Sequence, residues 1–185
     1  MIPFVAIAGT GLALAYSYMS GPQNNTPVKA SDGRSYKVQD LPDKQQAAER
    51  MCSIRGKLEK LCTHCKDYKD EPYQLLTSRF NPDALEENDV TADSTSYSEN
   101  KGEKIVVCLR HKENNYPFVD ENTVMFVLIH EMAHLMTASI GHTPEFWTNM
   151  RRLLQEGIQV GVYTPVNYTK SPVGYCGMTI SDTPL

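Results

Sequence analysis

The sequence predicts an α+β domain, compact and built from one buried helix packed on a small sheet, preceded by an N-terminal transmembrane helix. Three observations carry this expectation. Val124 to Ile129 is a run of six apolar residues that leads directly into His130-Glu131-Met132-Ala133-His134, and a helix apolar around most of its circumference belongs inside a domain. Ile105-Val106-Val107-Cys108-Leu109 is short, rich in β-branching and bounded by charge, which is a strand signal. Ile2 to Met19 carries no charge and is close to the lower length limit for a helix that crosses a bilayer.

A chain of 185 residues has room for one domain with a modest core and extra segments at its ends. A net charge of −4 and a pI near 5.7 give no overall electrostatic reason to expect nucleic acid as a partner. The five cysteines are an odd, scattered set, not the dense framework of a small disulfide-stapled scaffold. Cys62-Thr-His-Cys65 has metal-ligand spacing with Cys52 and His64 nearby, but lacks the second pair that a structural zinc site needs, so reduced thiols or a disulfide are the better reading.

In chain order, residues 1–20 read as the anchor. Ala13-Leu14-Ala15 resembles a signal-cleavage site, yet the basic segment expected ahead of a signal is absent. Lys29, Arg34 and Lys37 follow the apolar run and place the domain on the cytoplasmic side of a single-pass membrane protein. Residues 21–40, rich in Pro, Asn, Ser and Gly, read as a linker. The domain proper is expected over 41–160. It opens with a helix from Pro42 in which Ala47, Met51, Ile54, Leu58 and Leu61 recur at intervals of three and four and form one apolar stripe. Gln74 to Phe80 continues or caps this region and Asn81-Pro82 breaks it. Asp83 to Lys101 is polar and acidic and reads as a long surface loop with a short strand near Tyr97. The tail, 161–185, shows no persistent period and is expected to wrap the domain as extended chain.

The chemistry lies in the central stretch. Asp120 or Asn122 caps the buried helix. On it His130 and His134 stand four apart, on one face and one turn from each other, so two imidazoles can grip a single cation. A catalytic zinc takes three protein ligands and keeps a fourth position for water. Gly141 offers a helix stop that lets the chain turn and present His142. Thr143 and Pro144 then read as N-cap and first residue of another helix, with Phe146, Trp147, Met150, Leu153 and Leu154 on its apolar face and Gly157 at its end. Glu131, next to the first ligand, is placed to reach the attacking water and act as catalytic base. The expected cofactor is Zn2+, the reaction peptide-bond hydrolysis, and the partner a protein or peptide substrate. Tyr163, Tyr168 and Tyr175 are candidate donors to the oxyanion, against a default reading as packing residues.

With these residues in view, HEMAHLMTASIGHTPEFW preceded by IVVCLR resembles the WLM/SprT-like group of zincin metallopeptidases. The resemblance spans about Lys101 to Gly157. It implies a compact zincin-like α+β domain, with His130, His134 and His142 as zinc ligands and Glu131 as base. It also implies an edge strand, here Ile105, Val106, Val107, Cys108 and Leu109, that accepts substrate by strand addition. Together with the anchor, the sequence is similar to metallopeptidase-like proteins of large DNA viruses. That likeness admits an alternative function, a structural or assembly protein with virion or capsid partners. A protease acting on protein crosslinked to DNA is a further reading, disfavoured by the acidic charge and the anchor.

Overall fold

In this computed structural model, residues 25–89, 91–113 and 115–185 are described. β1 (Asn25–Lys29) and β2 (Ser35–Gln39) form an antiparallel hairpin, turned at Gly33 with φ +83°, a conformation that glycine adopts without penalty. α1 (Lys44–Cys65) buries Ala47, Met51, Ile54, Leu58 and Leu61, the stripe its periodicity predicts, against β2 and the rest of the core. α2 (Glu71–Arg79) follows, and then a 3-10 turn at Pro82–Ala84 leads into β3 (Leu85–Glu87). β4 (Tyr97–Glu99) and β5 (Lys104–Val107) form a second hairpin. α3 (Glu121–Met136) and α4 (Pro144–Gln159) make a helical pair, and β6 (Val173–Tyr175) with β7 (Met178–Ile180) a small hairpin in the tail.

The main sheet has the order β1-β2-β3-β5-β4, parallel at β2/β3 and β3/β5 and antiparallel elsewhere. α3 is the central helix. Val124, Met125, Leu128, Ile129, Met132, Ala133, Leu135 and Met136 are all buried, and it packs against α2, α4 and the sheet. Asp120 is its N-cap, accepting from the Thr123 N–H at 3.0 Å.

The α+β architecture agrees with the expectation, but the expected fold class needs correction in its transmembrane helix. Among the described residues no helix is long and apolar enough to cross a membrane. The most apolar, α3, has 16 residues, fewer than the ~20 a bilayer requires, and its apolar surface is already covered by the domain. The anchor expected over 1–20 lies outside the described residues.

Other boundaries also move. Residues 25–39 of the expected linker are β1 and β2, and the acidic segment expected to be a surface loop contains β3, an inner strand. Helix α3 ends at Met136, well before Gly141. Gly157 is internal to α4, not its end. A side chain there would meet Ile129 Cδ1 at 3.2 Å, so this glycine permits α4 to lie close against α3.

The tail is tied down by a disulfide between Cys108, just past β5, and Cys176, in the turn between β6 and β7. Cys52, Cys62 and Cys65 remain thiols.

Candidate metal centre

One turn apart on α3, His130 and His134 face the same way, their ring centroids 5.0 Å apart. After Met136 the chain leaves the helix and returns through a loop with Gly141 at φ +84°. It then enters α4 with Thr143 as N-cap, whose hydroxyl accepts from the Phe146 N–H at 3.3 Å. This return sets the His142 ring 4.9 Å from that of His130 and 5.0 Å from that of His134. His142 Nε2 lies 3.0 Å from His130 Nε2, and one ligand nitrogen from each ring falls within a 4.8 Å span. Phe146 forms the floor, stacked on His134 at 4.3 Å, and Trp147 stacks on His142 at 5.6 Å.

The donor set fits zinc. A tetrahedral ion with nitrogens at 2.0–2.1 Å holds any two of them about 3.4 Å apart, near the 3.0 Å between His142 Nε2 and His130 Nε2. Burial keeps the imidazoles neutral, as a ligand must be: it pushes His130 down to about 3 and His134 to about 4, with neighbouring histidines adding to the effect, and it lowers His142 as well. His142 is the exposed member, so the cluster opens on its side. Among the described residues this is the group of His, Cys, Asp and Glu that could hold a metal.

The Cys62-Thr-His-Cys65 alternative does not assemble. His64 Nε2 is 2.8 Å from Glu156 Oε2. Burial pushes both thiols up, Cys65 to about 12, which disfavours the thiolate that a metal needs.

Glu131 sits on α3 between the two histidines in sequence and is buried. Burial pushes its carboxyl up to about 7, against the lowering effect of hydrogen bonds from Ser98. Ser98 Oγ donates to Glu131 Oε2 at 3.1 Å. Ser98 belongs to β4, the short strand expected near Tyr97, and no local sequence signal singles it out.

The substrate-strand expectation is corrected by the pairing. Ile105, Val106 and Val107 are in β5, paired with β3 on one side and, at Ile105 and Val106, with β4 on the other. Cys108 N–H donates to Ser96 Oγ at 2.8 Å and Leu109 O accepts from Val119 N–H at 2.8 Å. All five residues are buried. The outer strand on this side is β4, Tyr97–Glu99.

The candidate oxyanion tyrosines are core residues. Tyr163 and Tyr168 pack on Phe126 at 5.9 and 4.7 Å, and the Tyr175 hydroxyl hydrogen-bonds Ser96 Oγ.

Comparison with known proteins gives the family. The model of the WLM domain matches residues 84–175. The uncharacterised protein R325 of Acanthamoeba polyphaga mimivirus is 31% identical over 159 residues, which cover 80% of this chain and 78% of that protein. The uncharacterised protein 042R of Invertebrate iridescent virus 3 is 38% identical over 76 residues, 41% of this chain and 46% of its own length. Wss1 from Saccharomyces cerevisiae shares the fold, with a TM-score of 0.50 at 18% identity over 67% of this chain and 86% of that one. Since the matched span holds β3, β4, β5, α3 and all three histidines, and a viral relative aligns over most of its length, the chain belongs to the WLM family.

Proposed function

We propose that this protein is a zinc-dependent metallopeptidase that hydrolyses peptide bonds in an extended protein or peptide substrate. The observation that carries the reading is Glu131, a buried carboxylate that follows His130 on α3 and is held by Ser98. A purely structural metal site has no use for it. His130, His134 and His142 would hold the ion, and a bound zinc would supply Lewis acidity, polarising the scissile carbonyl and making water a nucleophile near neutral pH.

The chain's own groups do the rest. Glu131 takes the proton of the attacking water at a carboxylate oxygen and passes it to the leaving amine. Ser98 fixes the carboxylate's orientation. Among the described residues β4 pairs with β5 and is the outer strand of the sheet, and an extended substrate would add there in the manner of strand addition. Because Ser98 lies in that strand, a peptide docked there runs past the carboxylate.

The test is hydrolysis of unstructured proteins by the full chain and by Glu131→Gln, each loaded with one equivalent of zinc. Cleavage by the wild type alone supports the proposal. If zinc-loaded wild type cleaves nothing across a broad panel, the fold serves a structural or assembly role instead.

A further inference from the structure

We infer that Lys101 is a positioning residue for the metal centre, its ammonium pinning the end of α3 to the loop that delivers His142. Its Nζ donates to three backbone carbonyls: His134 O at 3.2 Å, Thr137 O at 3.0 Å and Ser139 O at 3.4 Å. An ammonium has three donors, and here all are spent on the chain between the second histidine and the third. One carbonyl belongs to a proposed ligand itself. Another, that of Ser139, lies outside the helix, three residues before His142.

The placement of Lys101 argues for a role of its side chain. It sits in the turn between β4 and β5 at φ +56°, following Asn100 at φ +46°. The left-handed region is strained for a lysine, and glycine would adopt it freely. Gly102 shows how tightly this turn is seated. A Cβ added there would fall 2.6 Å from Arg79 O and 3.1 Å from Leu135 Cδ2. The turn is therefore lodged against the ends of α2 and α3.

Arg79 also serves the end of α3, donating to Leu135 O at 2.8 Å. Its bonds stop at Thr137, so it caps the helix without reaching further along the loop. Lys101 adds the bond to Ser139, whose hydroxyl in turn pairs with Thr143 Oγ1 at 2.8 Å and Glu145 Oε2 at 2.6 Å. A continuous set of hydrogen bonds thus runs from the hairpin containing the outer strand, through Lys101, to the N-terminus of α4 immediately after His142. Groups that orient metal ligands typically change metal affinity about 10–100-fold when removed.

This inference rests on the three histidines binding zinc, and its readout is zinc retention, not hydrolysis. Full-length wild type, Lys101→Met and Lys101→Gly would be loaded with zinc, and its release to a chelator timed. Cobalt-substituted samples would be compared by their visible absorption. Lys101→Gly also relieves the left-handed backbone, which offsets loss of the cap. Both variants should release zinc about tenfold faster or more, with altered cobalt bands, and Lys101→Arg should restore most of the retention. Wild-type release rates and cobalt spectra in both variants, even with lowered apo-protein stability, would overturn the inference and leave Lys101 a helix cap. Failure of wild type to bind zinc would overturn the metal reading and this inference with it.

Discussion

The Ser98 hydroxyl donates to the Glu131 carboxylate at 3.1 Å, joining the outer strand of the sheet to the group proposed to move the proton. A hydrogen bond to a charged group is worth about 1.5–3 kcal/mol, enough to govern how the carboxylate is oriented. Ser98→Ala should retain one equivalent of zinc and lower kcat about tenfold or more, with KM within about twofold. Steady-state kinetics with metal analysis checks this. A rise in KM at constant kcat would assign Ser98 to substrate binding alone.

Zinc should stabilise the folded protein because the site exists only when α3 and the loop before α4 are in place. At a zinc concentration 1,000 times the dissociation constant the gain is about 4 kcal/mol, on the order of 10 °C in Tm for a chain of this size. Chelation should remove that increment, and His134→Ala should melt at the same temperature with and without zinc. Differential scanning calorimetry reads both.

Arg110 and Glu87 form a pair in which each side chain is 1% exposed, Nε to Oε1 at 2.8 Å. Arg110 also bonds Asp43 at 2.8 Å and lies over the Phe118 ring at 4.2 Å. Arg110→Met strands a buried carboxylate and should cost about 3–5 kcal/mol. Glu87→Gln combined with Arg110→Met should recover part of that loss. Urea denaturation of the two variants tests this, and a double variant no more stable than the single one would contradict it.

The disulfide closes a loop between positions 68 apart in sequence. Chain-entropy reasoning gives it about 4 kcal/mol of stabilisation. Reductant should lower the Tm of the wild type, while a Cys108→Ser/Cys176→Ser variant should start lower and not respond. Equal responses in both would place the reducible bond elsewhere.

What was legible in the sequence is what local pattern encodes. The apolar run into His130, the i, i+4 histidines, the Asp120 and Thr143 caps and the stripe of α1 all record short-range periodicity, and the structure shows each. The hairpin Asn25–Gln39 was not legible, because its turn residues and polar faces resemble a linker until α1 covers one side. β3 was hidden because two of its three residues are glutamates, buried only because Arg110, Lys104 and Lys37 pair with them. The edge role of β5 is what the family resemblance implies, whereas strands pair with it on both sides, as its unbroken apolar run allows. The end of α3 at Met136 was missed because Arg79 and Lys101 satisfy its last carbonyls from distant parts of the chain, which no local signal reveals.

The most direct test of the central claim is zinc K-edge X-ray absorption on the full-length protein loaded with one equivalent of zinc. The account predicts four light ligands at about 2.0–2.1 Å with the multiple-scattering pattern of three imidazoles. That pattern should fall to two imidazoles in His142→Ala. A sulfur shell at about 2.3 Å, or an unchanged spectrum in His142→Ala, would contradict it.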